Sequence, residues 1–328
     1  MTSGIHVLLL SPFSRLAEFS IMYRIPFVIG LASCQFQIPY NVDEAQRAGV
    51  VLGTFGGVPD VNERVPIRLT FTNAVDVIMQ TYDGLGFSTE VSGSVSLGSD
   101  SGEVVDVELD LITIVGEGDG PFESSELGIG PGSELLENFN RIDIIPTSDQ
   151  GGVLRLGHEE PLPCLSNSSI TVPWLLGEFN SYLGGGIYLI DSNSSEVISS
   201  SIHGSNIAAR PHNRISLHNG DLGLPDSFNE YIRSLIPHVS EDSSFENCDQ
   251  IRTLLPQLLV QFEPNGSQIL FYPEDYTVDI PGTSSCYLRV NAQIDLVDVL
   301  ISINPFLLKD VGVSVNSSSV TFCDLATH

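Results

Sequence analysis

The stretch CDQIRTLLPQLLVQFEPNGSQILFYPEDYTVDIPGTSSCYLRVNAQIDLVDVLISINPFL, residues 248–307, decides the fold class of this chain. Short runs of Val, Ile, Leu, Phe and Tyr alternate in it with turn residues such as Pro, Gly and Asn. Apolar runs of this length between turn residues are typical of β-strands rather than helices. The pattern predicts strands over 255–262, 268–278, 286–293 and 296–303.

The same pattern continues outward from this stretch in both directions. Further strands are predicted over 65–80, 91–116, 151–157, 311–315 and 319–323, and the second of these folds back as a hairpin around a turn at 98–102. Two short helices are predicted, one over 133–139 with Ser133 as its N-cap and one over 224–235. They lie at roughly corresponding places in the two halves. The chain is therefore expected to be all-β with a few short helices.

Charge composition excludes several classes of partner. Acidic residues outnumber basic ones by 41 to 13, which gives a formal net charge of -28. A phosphate backbone is bound through many Lys and Arg side chains, so neither nucleic acid nor an anionic membrane surface is an expected partner. The seven histidines lack metal-ligand spacing, and no Cys-x-x-Cys pair occurs. No metal and no cofactor are expected, and no Gly-x-Ser-x-Gly elbow indicates a serine hydrolase.

The N-terminal region predicts entry into the secretory route. Residues 1–35 contain a short basic start, an apolar stretch at 25–32 and then small residues, as in a signal peptide, and Met22 is a possible true start. Removal of this leader takes away Cys34 and leaves four cysteines, an even number that suits two disulfides in an oxidising compartment. Four cysteines allow three connectivities.

Four glycosylation sequons agree with export. They lie at Asn167, Asn193, Asn265 and Asn316. The expected location is extracellular or the lumen of the endomembrane system, and no membrane-spanning segment is expected after the leader.

The second half contains the ordered run Cys248, Leu255-Pro256, Tyr272-Pro273-Glu274-Asp275-Tyr276 and Cys286, followed by Ile301–Leu307. This order resembles the pepsin-like aspartic protease family, peptidase A1, in which the last segment reads Ile-Leu-Gly-Asp-x-Phe-Leu. In the first half, Leu127-Gly128-Ile129-Gly130 resembles the family's Leu-Gly-Leu-Gly.

This resemblance implies a bilobal double β-barrel. The lobes are expected over 36–160 and 161–328, with a boundary near the Pro-flanked segment 159–163. The resemblance also implies a disulfide between Cys248 and Cys286. The remaining pair would be Cys164 and Cys323.

The catalytic signature of that family is missing. Its hydrolysis needs two facing carboxylates that share a proton, each from an Asp-Thr-Gly or Asp-Ser-Gly motif, and neither motif occurs in the sequence. Where the first should fall, the resemblance offers Phe71-Thr72-Asn73. Where the second should fall, two registers stay open, Ser216-Leu217-His218 and His218-Asn219-Gly220. Asp191 and Asp83 are the candidates for relic catalytic residues, although each also fits a turn.

Three hypotheses about function follow. The first is a secreted, catalytically inactive homologue, expected as a monomer, which binds a peptide or protein in the interlobe cleft as a binding or inhibitory module. The second is a divergent but active aspartic-type endopeptidase that uses Asp191 and Asp83. The third is an unrelated β-rich surface protein. Because a fold does not fix a function, the first two differ only at the site.

Overall fold

Strands dominate the computed structural model of the chain. It describes residues 36–43, 47–56, 64–71, 77–81, 88–98, 104–115, 122–148, 150–174, 181–200, 213–240, 243–262, 268–292 and 300–326. The predicted leader at 1–35 lies outside these residues. All described residues belong to one compact unit.

The first half contains nine strands and one helix in its described residues. They are β1 (Phe36–Asp43), β2 (Ala48–Gly56), β3 (Val65–Thr70), β4 (Val77–Thr81), β5 (Ser88–Gly98), β6 (Val104–Val115), β7 (Phe122–Gly128), α1 (Glu134–Phe139), β8 (Arg141–Ser148) and β9 (Gly151–Leu156). Alternation explains the strands: in β1, Ile38 and Tyr40 are buried while Gln37 and Pro39 are exposed. Ser133 caps α1 as predicted, because its Oγ accepts a hydrogen bond from the Leu136 amide at 3.3 Å.

The second half adds shorter strands. They are β10 (Ile170–Pro173), β11 (Ser181–Ile190), β12 (Val197–Ser200), β13 (Asn213–Leu217), β14 (Leu222–Leu224), β15 (Ser244–Phe245), β16 (Gln257–Phe262), β17 (Gln268–Phe271), β18 (Thr277–Asp279), β19 (Cys286–Leu288), β20 (Val290–Ala292), β21 (Leu300–Ile303), β22 (Val311–Asn316) and β23 (Ser319–Asp324). The helices are α2 (Asp226–Ser234) and α3 (Cys248–Arg252), with 3-10 turns at Pro273–Asp275 and Pro305–Leu307. No helix in the described parts of the chain has the length and apolar composition to cross a membrane.

Three predicted strands are divided in the structure: 65–80 into β3 and β4, 286–293 into β19 and β20, and 268–278 into β17 and β18. The pattern predicted a continuous strand over 268–278, but β17 ends at Phe271 and β18 begins at Thr277. Pro273 lacks an N–H and starts a 3-10 turn instead. Asp275 accepts a hydrogen bond from the Tyr272 amide at 2.7 Å, which fixes this turn.

The described strands form three sheets. The largest has the order β10-β23-β22-β8-β9-β1-β2-β3-β7-β4-β6-β5, the second β17-β16-β11-β13-β21-β14-β20, and the third β15-β19-β18. The largest sheet is not confined to the first half, since β10, β22 and β23 extend it beside β8. The buried apolar side chains form a contiguous cluster that runs through the two larger sheets.

A four-strand pattern occurs twice. In the first crossover unit, β3 is parallel to β7, β7 is antiparallel to β4, and β4 is parallel to β6. In the second crossover unit, β13 is parallel to β21, β21 is antiparallel to β14, and β14 is parallel to β20. Each position of one unit therefore has a topological counterpart in the other.

This repeat corrects the prediction that the two helices occupy corresponding places. α1 follows β7, whose counterpart β21 is followed by the 3-10 turn Pro305–Leu307. α2 instead follows β14, the counterpart of β4. The prediction was wrong because similar spacing along the sequence does not imply the same place in a crossover topology.

The described cysteines form two disulfides. One is the pair that the resemblance implied, and the other joins the two remaining cysteines. Cys248–Cys286 closes a loop with a sequence separation of 38, and Cys164–Cys323 joins residues 159 positions apart. The second bond links the segment before β10 to the last strand, so it ties both ends of the second half to the largest sheet.

Candidate functional site

Two corresponding strand tips define the candidate site. In the first crossover unit, β3 ends at Thr70, opposite Gly128, and the Thr70 carbonyl accepts a hydrogen bond from the Ile129 amide at 3.0 Å. In the second, β13 ends at Leu217, opposite Ile303. The next residues, Phe71 and His218, therefore occupy counterpart positions. This equivalence favours the register His218-Asn219-Gly220 over the one that begins at Ser216.

An aromatic cluster fills the first tip. The Phe71 side chain is fully buried, and its ring centroid lies 5.7 Å from that of Phe306. Phe306 also contacts Tyr40 edge-on, with centroids 5.2 Å apart. A Cβ at Gly49 would lie 2.5 Å from the Phe306 ring, so glycine is needed for this close approach. Phe71 and Phe306 have no proton to transfer. Burial raises the pKa of Tyr40, so its hydroxyl stays protonated and does not act as a base either.

A single partly buried imidazole occupies the second tip. The His218 amide donates a hydrogen bond to the Ile303 carbonyl at 3.0 Å. Its Nδ1 is buried and has no hydrogen-bond partner among the described residues. Burial lowers the pKa of His218, so the ring is neutral at neutral pH. An imidazole at one tip and a phenyl ring at the other supply neither of the two carboxylates on which this hydrolysis depends.

Hydrogen bonds tie the two tips to each other. Asn219 Nδ2 donates to the Leu69 carbonyl at 2.5 Å, which joins β3 to the loop after β13. Asn304 Nδ2 donates to the carbonyls of Arg47 and Gly220 at 2.6 and 2.9 Å. Gly220 adopts a φ of 126°, a conformation that favours glycine. Together, Arg47, Leu69, Asn219, Gly220 and Asn304 form what we call the junction.

An ion pair lies beside the junction. Asp221, 4% exposed, pairs with Arg47, which is 31% exposed. Burial raises the pKa of Asp221 to about 6, although Arg47 and Arg233 oppose this effect. The Asn291 side chain also lowers the pKa of Asp221. Asp221 Oδ1 has no hydrogen-bond partner among the described residues. Within the described parts of the chain, this carboxylate pairs with Arg47, and no second acid shares its proton.

The other candidate residues have structural surroundings. Ser216 lies on β13, with its Oγ 3.1 Å from Ser302 Oγ. Asp191 lies in the β11–β12 hairpin loop, where its Oδ1 accepts hydrogen bonds from the Asn193 and Ser194 amides at 2.9 and 2.7 Å. These bonds lower the pKa of Asp191, as in an Asx turn. Thr72, Asn73 and Asp83 lie outside the described residues.

Three of the sequons lie on described surface segments. Asn167 and Asn193 are exposed. Asn316 is half-buried in the β22–β23 hairpin, where its Oδ1 accepts hydrogen bonds from the Ser318 and Ser319 amides, both at 2.8 Å. Asn265 lies outside the described residues. Glycosylation at these positions stays a prediction.

The described residues offer no assembled metal site at the tips. Among them, the one cluster of three His, Cys, Asp or Glu ligand atoms within 4.8 Å consists of Cys248, Asp279 and Cys286. Both cysteines of that cluster are in a disulfide, so neither can supply a thiolate.

Sequence reasoning missed the residues that hold the two tips together. Arg47 and Asp221 are 174 positions apart, and neither stands in a recognisable motif. Asn304 was noted only as part of Ile301–Leu307, without a role. The Gly220-Asp221 dipeptide was the one local signal, and it is equally typical of a turn.

Comparison with known proteins establishes the fold. No protein-family model matches this sequence, and no curated protein matches it. Solved structures do match, and one of them is the crystal structure of basic 7S globulin from soybean. It has a TM-score of 0.58 and 14% sequence identity, and the alignment covers 88% of this chain and 96% of that one. The chain shares the all-β, bilobal pepsin-like fold of this neighbour.

Proposed function

We propose that this chain is an exported, catalytically inactive pepsin-fold protein that acts as a binding or inhibitory module. The observation that carries the proposal is the pair of side chains at the counterpart tips, Phe71 and His218. A hydrolase of this type needs an ionised and a protonated carboxyl group there, one as base on water and one as acid on the substrate carbonyl. A phenyl ring and a neutral imidazole cannot divide those two roles.

Asp221, beside the junction, and Asp191, in the β11–β12 loop, do not replace the missing pair. Asp221 is committed to Arg47, and Asp191 is committed to the backbone of its own turn. The charge of Asp221 is neutralised by its arginine, and Asp191 already accepts hydrogen bonds from backbone amides. Neither carboxylate is therefore available as a base for the attack of water on an amide. Asn219 and Asn304 also fill the tips with junction hydrogen bonds, which stabilise the halves against each other.

Export is supported by chemistry rather than by a direct signal. Two disulfides persist only in an oxidising environment in most organisms, and the sequons and predicted leader agree with that environment. In this proposal a monomer binds a peptide or protein in the interlobe cleft, where an active relative would hold its substrate.

The decisive experiment is a proteolysis assay on the purified full chain. The protein is incubated with a denatured protein substrate between pH 3 and pH 6, with and without a statine-type inhibitor, beside an active aspartic protease. We expect no inhibitor-sensitive cleavage.

Inhibitor-sensitive cleavage would contradict the proposal and favour the divergent endopeptidase. A chain carrying both Asp83→Asn and Asp191→Asn is then the matched control. Loss of cleavage in that variant would assign the activity to those carboxylates, whereas the same cleavage in both proteins would indicate a contaminating protease.

A further inference from the structure

A groove lies where the two larger sheets end. β10 is the terminal strand of the largest sheet, and β17 is the terminal strand of the second sheet. The groove has a volume of about 660 Å³ and is lined by residues of four stretches, which lie within 165–170, 268–275, 310–311 and 322–325. None of the junction residues lines it.

The backbone edge of β17 borders this groove. Gln268, Ile269 and Leu270 all line it, although successive side chains of a strand point to opposite faces. A cavity that contacts three consecutive residues of a strand therefore runs along its edge. Among the described strands, β17 pairs only with β16. An edge of this kind presents N–H and C=O groups to which an extended segment can pair.

The groove also exposes apolar surface. Leu165 and Tyr272 are each 49% exposed, which is unusual for large side chains in this structure. Both line the groove, and the buried side chains of Ile269 and Phe322 continue the apolar wall between them. Exposed apolar side chains beside an open strand edge are typical of a surface that is covered by a partner.

The charge of the groove is of one sign. Asp275, Asp310 and Asp324 line it, and no Arg, Lys or His is among the described residues that do so. Asp275 is engaged with the Tyr272 amide. Asp310 and Asp324 are exposed, and neither forms an ion pair within the described part of the chain. Their carboxylates favour a cationic ligand, and the net charge of -28 also favours encounter with one.

We propose that this groove binds an extended basic peptide segment of a partner protein, which adds to β17 as a further strand. Main-chain hydrogen bonds to the β17 edge would supply part of the affinity, as in β-strand addition. Apolar side chains of the segment would lie against Leu165 and Tyr272, and its Lys or Arg side chains would lie near Asp310 and Asp324. The inference rests on the proposed role as a binding module and assigns to it a site outside the interlobe cleft. It requires Asn167, whose sequon lines the groove, to carry no glycan.

The test uses a labelled, end-capped peptide of alternating Lys and Val, and fluorescence anisotropy with the full chain. One control is a peptide of alternating Glu and Val. The other is the Lys and Val peptide with every second amide N-methylated, which cannot form the main-chain hydrogen bonds to the β17 edge. We expect binding of the first peptide, with affinity that falls as salt rises. Binding of both controls should be weaker by about tenfold or more.

Two double variants with the same change in net charge locate the site. Asp310→Asn with Asp324→Asn should weaken binding by about tenfold. Asp226→Asn with Glu230→Gln, on the exposed face of α2, should change it less than about twofold. Circular dichroism and thermal unfolding of each variant check that the fold is retained.

Several results would overturn the inference. Equal weakening by both double variants would indicate non-specific attraction to an acidic protein, and equal binding of the N-methylated peptide would exclude strand addition. No binding, or a concentration-dependent dimer that the peptide disrupts, would also overturn it, because the groove would then be empty or covered by a second copy. None of these results alters the outcome of the proteolysis assay, so the two proposals fail separately.

Discussion

The two crossover units share a topology and differ in chemistry at their tips. In the first, Phe71 is buried against Phe306 and closes the tip with apolar surface. In the second, His218, Asn219 and Asp221 each keep a buried polar atom that has no partner among the described residues. The comparison teaches that the backbone repeat sets which positions meet, while the side chains alone decide whether those positions can perform chemistry.

The same substitution at the two counterpart positions gives the largest contrast. Phe71→Asp removes a buried ring and places a carboxylate in its apolar site, so we expect a loss of unfolding free energy of at least about 4 kcal/mol. His218→Asp changes a partly exposed polar residue and should cost about 1 kcal/mol. Urea unfolding of both variants measures the difference, and Phe71→Leu, with a loss of about 1 kcal/mol, is the conservative control. Equal losses would show that the first tip is not an apolar core.

The junction provides the next contrast. Asn304 is buried and donates to two carbonyls, and its Oδ1 accepts from the Phe306 amide at 3.1 Å. Asn304→Ala leaves those groups unsatisfied and should lower the unfolding free energy by about 3 kcal/mol. Asn316→Ala, in a half-exposed hairpin turn, should cost about 1 kcal/mol because water can replace its bonds. If the two losses are similar, the junction does not hold the units together.

Opposite pH dependences are expected within the second tip. The folded pKa of Asp221, about 6, lies above its usual 3.8, so the stability it contributes is present below pH 3.8 and is lost as pH rises through 6. His218 has a lowered pKa, so its contribution is present above pH 6.5 and is lost as pH falls through its folded pKa.

Unfolding free energies from pH 4 to pH 8 test these signs. The unfolding free energy of Asp221→Asn should increase relative to that of the wild type as pH rises from 4 to 6, by on the order of 1 kcal/mol. The unfolding free energy of His218→Asn should increase relative to that of the wild type as pH falls below 6.5. Asp226→Asn, on the surface of α2, is the charge-matched control. Parallel curves for wild type and Asp221→Asn would contradict the burial of that carboxylate.

Helix capping gives the smallest effect. α1 has the Ser133 side chain as its cap, whereas α2 starts after Pro225 without a side-chain cap. Ser133→Ala should cost about 1 kcal/mol. Ser227→Ala, in the exposed first turn of α2, should stay within about 0.5 kcal/mol. Thermal unfolding distinguishes the two, and a larger loss at Ser227 would reverse the assignment of the caps.

The predicted parts of the fold were those with local signals. The short apolar runs at 151–157 and 311–315 predicted β9 and β22, and Ser133 predicted the start of α1. The strand at 268–278 was predicted too long, because the run of apolar residues outweighed the effect of Pro273. The equivalence of the two helices was wrong, because spacing along the chain does not report which strand a helix follows.

The sequence by itself determined that the chain is all-β and that neither an Asp-Thr-Gly nor an Asp-Ser-Gly motif is present. Both facts are local, since strand period and motif identity are read from neighbouring residues. Only the tertiary structure decided that Phe71 and His218 are counterparts, that Arg47 meets Asp221, and that the edge of β17 borders an acidic groove. These relations join residues far apart in sequence, and their free energy depends on burial and on distances that exist only once the sheets have formed.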